Sequence, residues 1–251
     1  MIKNTVMLAI FTSATFSAID VQAAEQKALK DQFTVSGSLA FLTDYYWRGA
    51  SLTQGQPALQ GNLRVDHDSG LYTQLSASNV QLDIGSSIEL AYYLGYDYHF
   101  NDHLRLNLQY LDVNYPGADK ALPQVDFEEY SIGLFTSGLL NQQDQLNLSF
   151  YYSPDYTLET GKMLRYEVGY RYPVADQWNA YAQAAYNQFS SNEAYELLWA
   201  TDEKKHFYDY KVGVDFNYQD FIFDLYYADG NVNKALKNAD STVVFSLTRT
   251  F

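Results

Sequence analysis

Charged side chains recur at every second residue in many segments of the chain, on the side opposite the apolar residues. Arg165, Glu167 and Arg171 share one such side, while Tyr166 and Val168 share the other. Strict alternation places the two sets on opposite faces of a strand. The polar set holds six basic and nine acidic residues: Arg48, Arg64, Arg105, Arg165, Arg171, Lys211, Asp44, Asp66, Glu89, Asp97, Glu129, Glu167, Asp209, Asp215 and Asp224. Charges arranged in this way need water or mutual pairing.

Residue patterns typical of catalysis are weak by comparison. The triplet His67-Asp68-Ser69 carries the residue types of a hydrolase triad, but it lies in a predicted tight turn. Asp202 and His206 would form a protease pair only with generous assumptions. The four histidines are dispersed, and we find no glycine-rich phosphate loop or carboxylates with metal-ligand spacing. The sequence therefore predicts no enzyme, no metal site and no cofactor.

The overall composition excludes several other classes. The 251 residues include no cysteine, which rules out disulfides, thiolate metal sites and thiol nucleophiles. The formal net charge of −14 argues against nucleic acid as a partner, because phosphate binding depends on Lys and Arg. The 24 Tyr and 15 Phe residues favour strands.

The N-terminus is typical of a secretory signal peptide, predicted here as residues 1–23. Lys3 supplies the positive end, an apolar stretch runs from Val6 to Ile19, and cleavage is expected after Ala23. Residues 24–32 are polar, and we interpret them as a periplasmic lead-in. Residues 33–251 then form the folded part.

The folded part predicts about twelve strands, which is the even number expected of a closed barrel. Predicted short turns at 68–70, 101–103, 175–177 and 219–220, with a looser turn at 140–145, alternate with longer connectors at 49–56, 80–86, 115–125, 154–162, 189–205 and 229–240. This alternation is typical of outer-membrane barrels, whose short turns are periplasmic. A water-soluble β-sandwich also has alternating strands and is the competing fold.

Aromatic residues near the predicted strand ends favour the all-β, closed antiparallel transmembrane barrel over the sandwich, since barrels carry aromatic girdles at both membrane interfaces. The clusters are Tyr45/Tyr46/Trp47, Tyr96/Tyr98/Phe100, Tyr170/Tyr172/Trp178 and Phe216/Tyr218/Phe221. The C-terminal Phe251 follows apolar residues at alternate positions and resembles the terminal signal of bacterial outer-membrane proteins. We therefore expect the barrel-assembly machinery and outer-membrane lipid as partners, after removal of the signal peptide in a Gram-negative cell.

Residues 36–53, SGSLAFLTDYYWRGASLT, followed by QPALQG at 56–61, resemble the opening of the TorF family of Gram-negative outer-membrane porins. Segments 69–80 and 89–96 also fit the family pattern, and Thr43 stands where that pattern has Ser. The resemblance is specific over residues 36–98 and weaker afterwards. It implies a β-barrel and a channel, without naming a solute.

A twelve-stranded barrel would leave an opening of about 10 Å after its inward side chains are counted. We expect Asp44 and Arg48, four apart on the first strand, to form an ion pair near the mouth, with Gly49 allowing the chain to turn away. Residues 193–199 could form a short helix that constricts the mouth or merely packs on a neighbouring loop.

The sequence thus predicts a porin-like channel for passive diffusion of small hydrophilic solutes or ions. The excess of acidic over basic lumenal residues predicts a weak cation preference. The predicted pore-lining residues are Asp44, Arg48, Arg64, Glu89, Asp97, Arg105, Glu129, Arg165, Glu167, Arg171, Lys211, Asp215 and Asp224. The alternative is a structural or adhesin-like barrel whose arginines and carboxylates interlock and plug the lumen, and the oligomeric state, monomer or homo-oligomer, stays open.

Overall fold

The structure is a computed structural model that describes residues 32–190, 205–232 and 238–251. The predicted signal peptide, the lead-in up to residue 31 and the helix predicted at 193–199 lie outside these residues. Among the described residues, no helix is long and apolar enough to cross a membrane.

Twelve strands form one closed antiparallel barrel, as the alternation predicts. They are β1 (Phe33–Leu42), β4 (Ala58–His67), β5 (Leu71–Asn79), β6 (Ile88–Asn101), β7 (Leu104–Asn114), β8 (Phe127–Ser137), β9 (Gln145–Ser153), β10 (Met163–Ala175), β11 (Trp178–Phe189), β12 (His206–Tyr218), β13 (Phe221–Gly230) and β14 (Thr242–Thr250). Each strand pairs with its neighbours along the chain, and β1 closes the sheet by pairing with both β4 and β14. Closure leaves no unpaired sheet edge, which is the condition for placing strands in lipid.

The connectors fall into the two predicted classes. Turns of two or three residues join β4 to β5, β6 to β7, β10 to β11 and β12 to β13, and residues 138–144 join β8 to β9. Longer connectors lie at the opposite end of the barrel. One of them, between β1 and β4, contains a small hairpin made of β2 (Tyr46–Trp47) and β3 (Ala50–Ser51).

The outer surface carries an apolar band. Leu63, Leu94, Leu108 and Val168 are each between 44% and 58% exposed, although they lie in the middle of barrel strands. A continuous surface of such residues is unfavourable in water and is expected where strands face acyl chains. The band distinguishes the barrel from a water-soluble sandwich.

Aromatic side chains border this band. Tyr98, Phe100, Trp178 and Tyr218 are exposed near the short-turn end of their strands, as the girdle interpretation predicts. Towards the other end, Tyr110 and Tyr130 pack across β7 and β8 with tilted rings whose centroids are 5.3 Å apart. Amphipathic rings at these two levels match the interfaces of a bilayer.

The first strand is shorter than predicted, and the expected placement of Tyr45 and Trp47 in an outer girdle is wrong. Strand β1 ends at Leu42, after which the chain turns into the barrel. Trp47 then packs against Phe127, and the Tyr45 hydroxyl bonds to Glu89 inside the barrel. The apolar alternation continues past Leu42 and so gives no warning of the strand end.

The C-terminal residue extends the seam where the barrel closes. The amide of Phe251 donates to the Gly37 carbonyl at 3.0 Å, and the Gly37 amide donates to Phe251 at 2.8 Å. The Phe251 ring remains 72% exposed. The residue is therefore held through its backbone while its side chain stays accessible.

The turn between β8 and β9 is organised around the buried carboxylate of Asp144. Its oxygens accept the amides of Leu139, Leu140 and Asn141 at 2.8, 2.5 and 3.0 Å, and the Tyr170 hydroxyl at 2.7 Å. Burial by itself raises the pKa of Asp144, but these hydrogen bonds outweigh burial and hold the pKa well below its usual value.

A pH dependence follows for the Asp144→Asn variant. A carboxylate whose pKa is depressed by folding contributes stability above its unfolded pKa of about 3.9. That contribution is lost as the pH falls towards the folded value. In urea unfolding followed by tryptophan fluorescence, we expect the variant to be less stable than the wild type at pH 7. The difference should shrink below pH ~4, and a difference independent of pH would contradict the assignment.

The lipid-facing band can be tested with matched arginine substitutions on β10. Val168→Arg places a charge near the middle of the strand and should lower the free energy of unfolding by about 2–4 kcal/mol. Val174→Arg, on the same strand near the short-turn end, should cost at most about 1 kcal/mol. Urea unfolding in liposomes measures both values. Equal effects at the two positions would show that the face does not meet hydrocarbon.

Candidate functional site

The barrel interior is the candidate site, because strand alternation turns the charged residues inward. The ion-paired side chains Arg48, Glu129, Arg64, Asp97, Arg105, Arg165, Glu167, Asp209, Arg171 and Asp215 are only 1–11% exposed. An opening of about 10 Å would leave them accessible to water. The predicted opening is therefore not present at these levels, and side chains fill the interior.

One ion-pair cluster lies towards the short-turn end of the barrel. Asp97 on β6 receives Arg64 from β4 at 3.0 Å and Arg105 from β7 at 2.5 Å. Arg64 also bonds the half-exposed Asp66 at 2.6 Å, and its guanidinium lies 3.6 Å from the centre of the Tyr72 ring. The cluster ties three strands together through one carboxylate.

A second group of ion pairs lies on the opposite wall. Arg165 on β10 bonds Glu167 on the same strand at 2.8 Å and Asp209 on β12 at 2.6 Å. Nearer the short-turn end of the same strand, Arg171 pairs with Asp215 of β12. These pairs bridge strands within the wall and do not cross the lumen.

Three inward carboxylates bond hydroxyl groups instead of arginine. The Ser51 and Thr53 hydroxyls donate to Asp44 at 2.5 and 3.0 Å. Glu89 accepts the hydroxyls of Tyr45 and Tyr115 at 2.9 and 2.7 Å. Asp224 accepts the hydroxyl of Tyr181 at 2.9 and 3.0 Å. The excess of negative charge inside the barrel comes from these three acids and from Arg165, which pairs with two carboxylates, against the one positive charge of Lys211.

The expected Asp44–Arg48 ion pair is wrong, because the two residues do not share a strand. Arg48 instead forms a two-pronged ion pair with Glu129 of β8, at 2.6 and 2.8 Å. Its guanidinium also lies 4.3 Å from the Trp47 ring centre and 5.2 Å from that of Tyr151. We call the Arg48–Glu129 pair the latch.

The latch crosses the lumen. It joins the β2–β3 hairpin, which connects β1 to β4 along the chain, to β8; three strands separate β8 from β4 and six separate it from β1. Arg48 and Gly49 form the two-residue turn of the hairpin with φ values of +49° and +87°. Such positive values define the type I′ turn, which arginine adopts only at some cost in backbone strain.

An apolar cap covers the latch at the long-loop end of the barrel. The cap consists of Leu52, Val80, Ile84, Ala91, Leu111, Val113, Tyr115, Val125, Phe127, Tyr156, Met163, Phe189, Phe207, Val232 and Ala239, with Tyr45 and Trp47 packed against it. Strand ends and inward-folded connectors both contribute. The hairpin thus closes the barrel through one ion pair and a layer of apolar contacts.

Two small cavities lie along the wall formed by β10–β14. Each has a volume of about 30 Å³, enough for a water molecule. The cavity nearer the short turns is lined by Arg171, Asp215 and Asp224, and the one nearer the hairpin by Arg48 and Asp209. Lys211 and Tyr226 line both cavities.

All thirteen predicted pore-lining residues lie on the inside: eleven on barrel strands, Arg48 in the hairpin turn and Asp44 between β1 and β2. Sequence reasoning missed their uncharged partners, above all the tyrosines Tyr45, Tyr72, Tyr115 and Tyr181. Tyr72 and Tyr181 alternate with the apolar residues of their strands and share the polar face, and this position could have predicted that they point inward. Tyr45 and Tyr115 lie in connectors, where alternation carries no information.

The weak triad candidate serves to close a turn. Nδ1 of His67 accepts the Ser69 amide at 3.1 Å and lies 2.8 Å from the Ser69 hydroxyl, while Nε2 lies 3.2 Å from Gln32. These contacts connect β4 to β5 at the short-turn end.

Residues 26–251 match the model of a family described as "Bacterial protein of unknown function (Gcw_chp)". The chain belongs to the Gcw_chp family. No curated protein sequence matches it.

Solved structures similar to this Gcw_chp protein include outer-membrane porins. The chain is similar to the KdgM porin, with a TM-score of 0.55 and 7% identity over 86% of this chain and 98% of that one. It is also similar to the NanC porin, with a TM-score of 0.56 and 8% identity over 87% and 99%. LpxR from Salmonella typhimurium follows with a TM-score of 0.50 and 11% identity over 86% and 99%. At these identities the likeness shows the fold, a porin-like barrel.

Two carboxylates of one cluster provide a test of the interior ion pairs. Asp97→Asn removes a buried charge shared by two arginines and should lower the free energy of unfolding by about 3–5 kcal/mol. Asp66→Asn removes a carboxylate that is 35% exposed and should cost less than about 1 kcal/mol. Unfolding in urea measures both. Equal costs would mean that water reaches Asp97 in the folded barrel.

Proposed function

We propose that this Gcw_chp protein is an outer-membrane channel for small hydrophilic solutes, and that the β2–β3 hairpin is its gate. The observation that supports the proposal most directly is how the lumen is closed. A hairpin separate from the barrel sheet closes it, held to the far wall by the Arg48–Glu129 latch. A hairpin can move while every hydrogen bond between the barrel strands remains in place.

The buried charges also support a channel over a purely structural barrel. A buried ion pair contributes little net stability, because desolvation offsets much of the attraction between its charges. A barrel needed only for mechanical support would be as stable with apolar residues inside. Five inward arginines retained in one barrel are better explained by a polar path for solutes.

Several finer features belong to the proposal. The resemblance of residues 36–98 to TorF-family porins supports passive, non-enzymatic transport. The predicted signal peptide and the exposed Phe251 ring support export and insertion into the outer membrane of a Gram-negative cell. The excess of acidic over basic inward residues supports a weak cation preference.

The second candidate is a structural or surface-interaction barrel with a permanently plugged lumen. The apolar cap and the interlocked ion pairs favour it, since both exclude water from the interior in this conformation. The two candidates predict different conductance when the Arg48–Glu129 ion pair is removed.

Matched glutamine variants separate the candidates in planar-bilayer recordings. Glu129→Gln keeps the side-chain volume but removes the latch charge, and we expect the open probability to rise roughly tenfold or more. Glu167→Gln removes an equally buried charge, since both glutamate side chains are 1% exposed. Its ion pair with Arg165 lies within the wall, so we expect no comparable change.

Heat-modifiable migration in gels checks that both variants fold. The channel proposal is overturned if the folded wild type and both folded variants are silent at high protein concentration. If the wild type conducts and Glu129→Gln leaves its open probability unchanged, the channel stands and the gate is wrong. In a KCl gradient, the reversal potential of the open channel should indicate a weak preference for K⁺.

A further inference from the structure

The two cavities along the β10–β14 wall share Lys211 and Tyr226 as lining residues. The cavity nearer the hairpin is also lined by Trp47 and Arg48, so movement of the hairpin would uncover this cavity from outside. The cavity nearer the short turns is also lined by Arg171 and Asp215. A solute that passes along this wall therefore has to pass Lys211.

Lys211 differs from the other inward basic residues. Each of the five inward arginines bonds a carboxylate. Within the described parts of the chain, the ammonium of Lys211 has no carboxylate within ion-pair distance. It lies over two aromatic rings, 5.6 Å from the centroid of Tyr181 and 5.5 Å from that of Tyr226.

The carboxylates of Asp224, Glu167 and Asp209 act on this ammonium only from beyond ion-pair distance. A paired arginine is neutralised at close range, whereas a ring face contributes only a weak quadrupole attraction. At a narrow point with little water, a charge that no carboxylate contacts directly acts strongly on any ion that passes. Charged side chains that line the narrow part of a channel set its ion selectivity.

We propose that Lys211 limits the cation preference of the open channel. It repels cations at the junction of the two cavities and favours small anions there, such as chloride and carboxylates. The inference rests on the proposed channel function. It also explains why the preference for cations stays weak, because Lys211 opposes Asp224 and the other carboxylates that lack an arginine partner.

The test is the reversal potential of Lys211→Met in a KCl gradient, with Glu129→Gln as the background so that currents are frequent. Methionine keeps a flexible chain of similar length and removes the charge. We expect the permeability ratio of K⁺ to Cl⁻ to rise roughly threefold or more. Lys162→Met is the matched control, because it makes the same substitution at an exposed position in the connector before β10. It should leave the ratio unchanged.

Cysteine chemistry supplies a second readout, since the chain has no native cysteine. Lys211→Cys should show the raised cation preference, and modification with a positively charged methanethiosulfonate reagent should restore the lower ratio. A negatively charged reagent should raise it further. Folded channels that conduct with an unchanged ratio in Lys211→Met and in modified Lys211→Cys would overturn the inference and leave the channel proposal intact. Silence of every folded variant would overturn the channel proposal itself.

Discussion

Backbone hydrogen bonding in the membrane is the constraint on which the rest of this structure depends. Hydrocarbon offers no partner for a free amide or carbonyl, so β1 must pair with β14 as well as β4. Once the sheet is closed, alternate side chains have only two destinations, lipid or the interior. Thirteen charged residues on the polar face of the barrel strands then share the interior with Asp44 and Arg48. Pairing among these charges is a consequence of closure.

The charged residues are not all paired in the same way, and the exceptions are the residues that matter most for the proposed function. Arginines neutralise most of the carboxylates within the wall, while Asp44, Glu89 and Asp224 rely on hydroxyl groups. Lys211 has rings in place of a carboxylate. A fully paired interior would carry no net charge. This interior instead keeps a small excess of negative charge and one ammonium, that of Lys211, which contacts no carboxylate. The same set of residues therefore links the strands of the barrel to one another and defines the electric field inside it.

The fold was predictable because a strand buried on one face repeats its pattern with period two, and lipid requires that repeat in every strand. The hairpin was not predictable by this means. Asp44 and Arg48 keep the polar alternation, and Tyr45 and Trp47 keep the apolar one, although the strand has already ended at Leu42. What turns the chain inward is a set of contacts distant in sequence, above all with Glu129, and periodicity contains no information about such contacts.

The location of the closure has an energetic consequence. A lumen closed only by wall residues could open only if the sheet itself were deformed, at a cost comparable to that of breaking strand pairing. The hairpin is instead anchored by its own local bonds, such as those of Ser51 and Thr53 to Asp44, and by the latch. The energy of opening is therefore set by the latch, these local bonds and the contacts of Tyr45 and Trp47 with the apolar cap, and it does not include the pairing of the barrel strands.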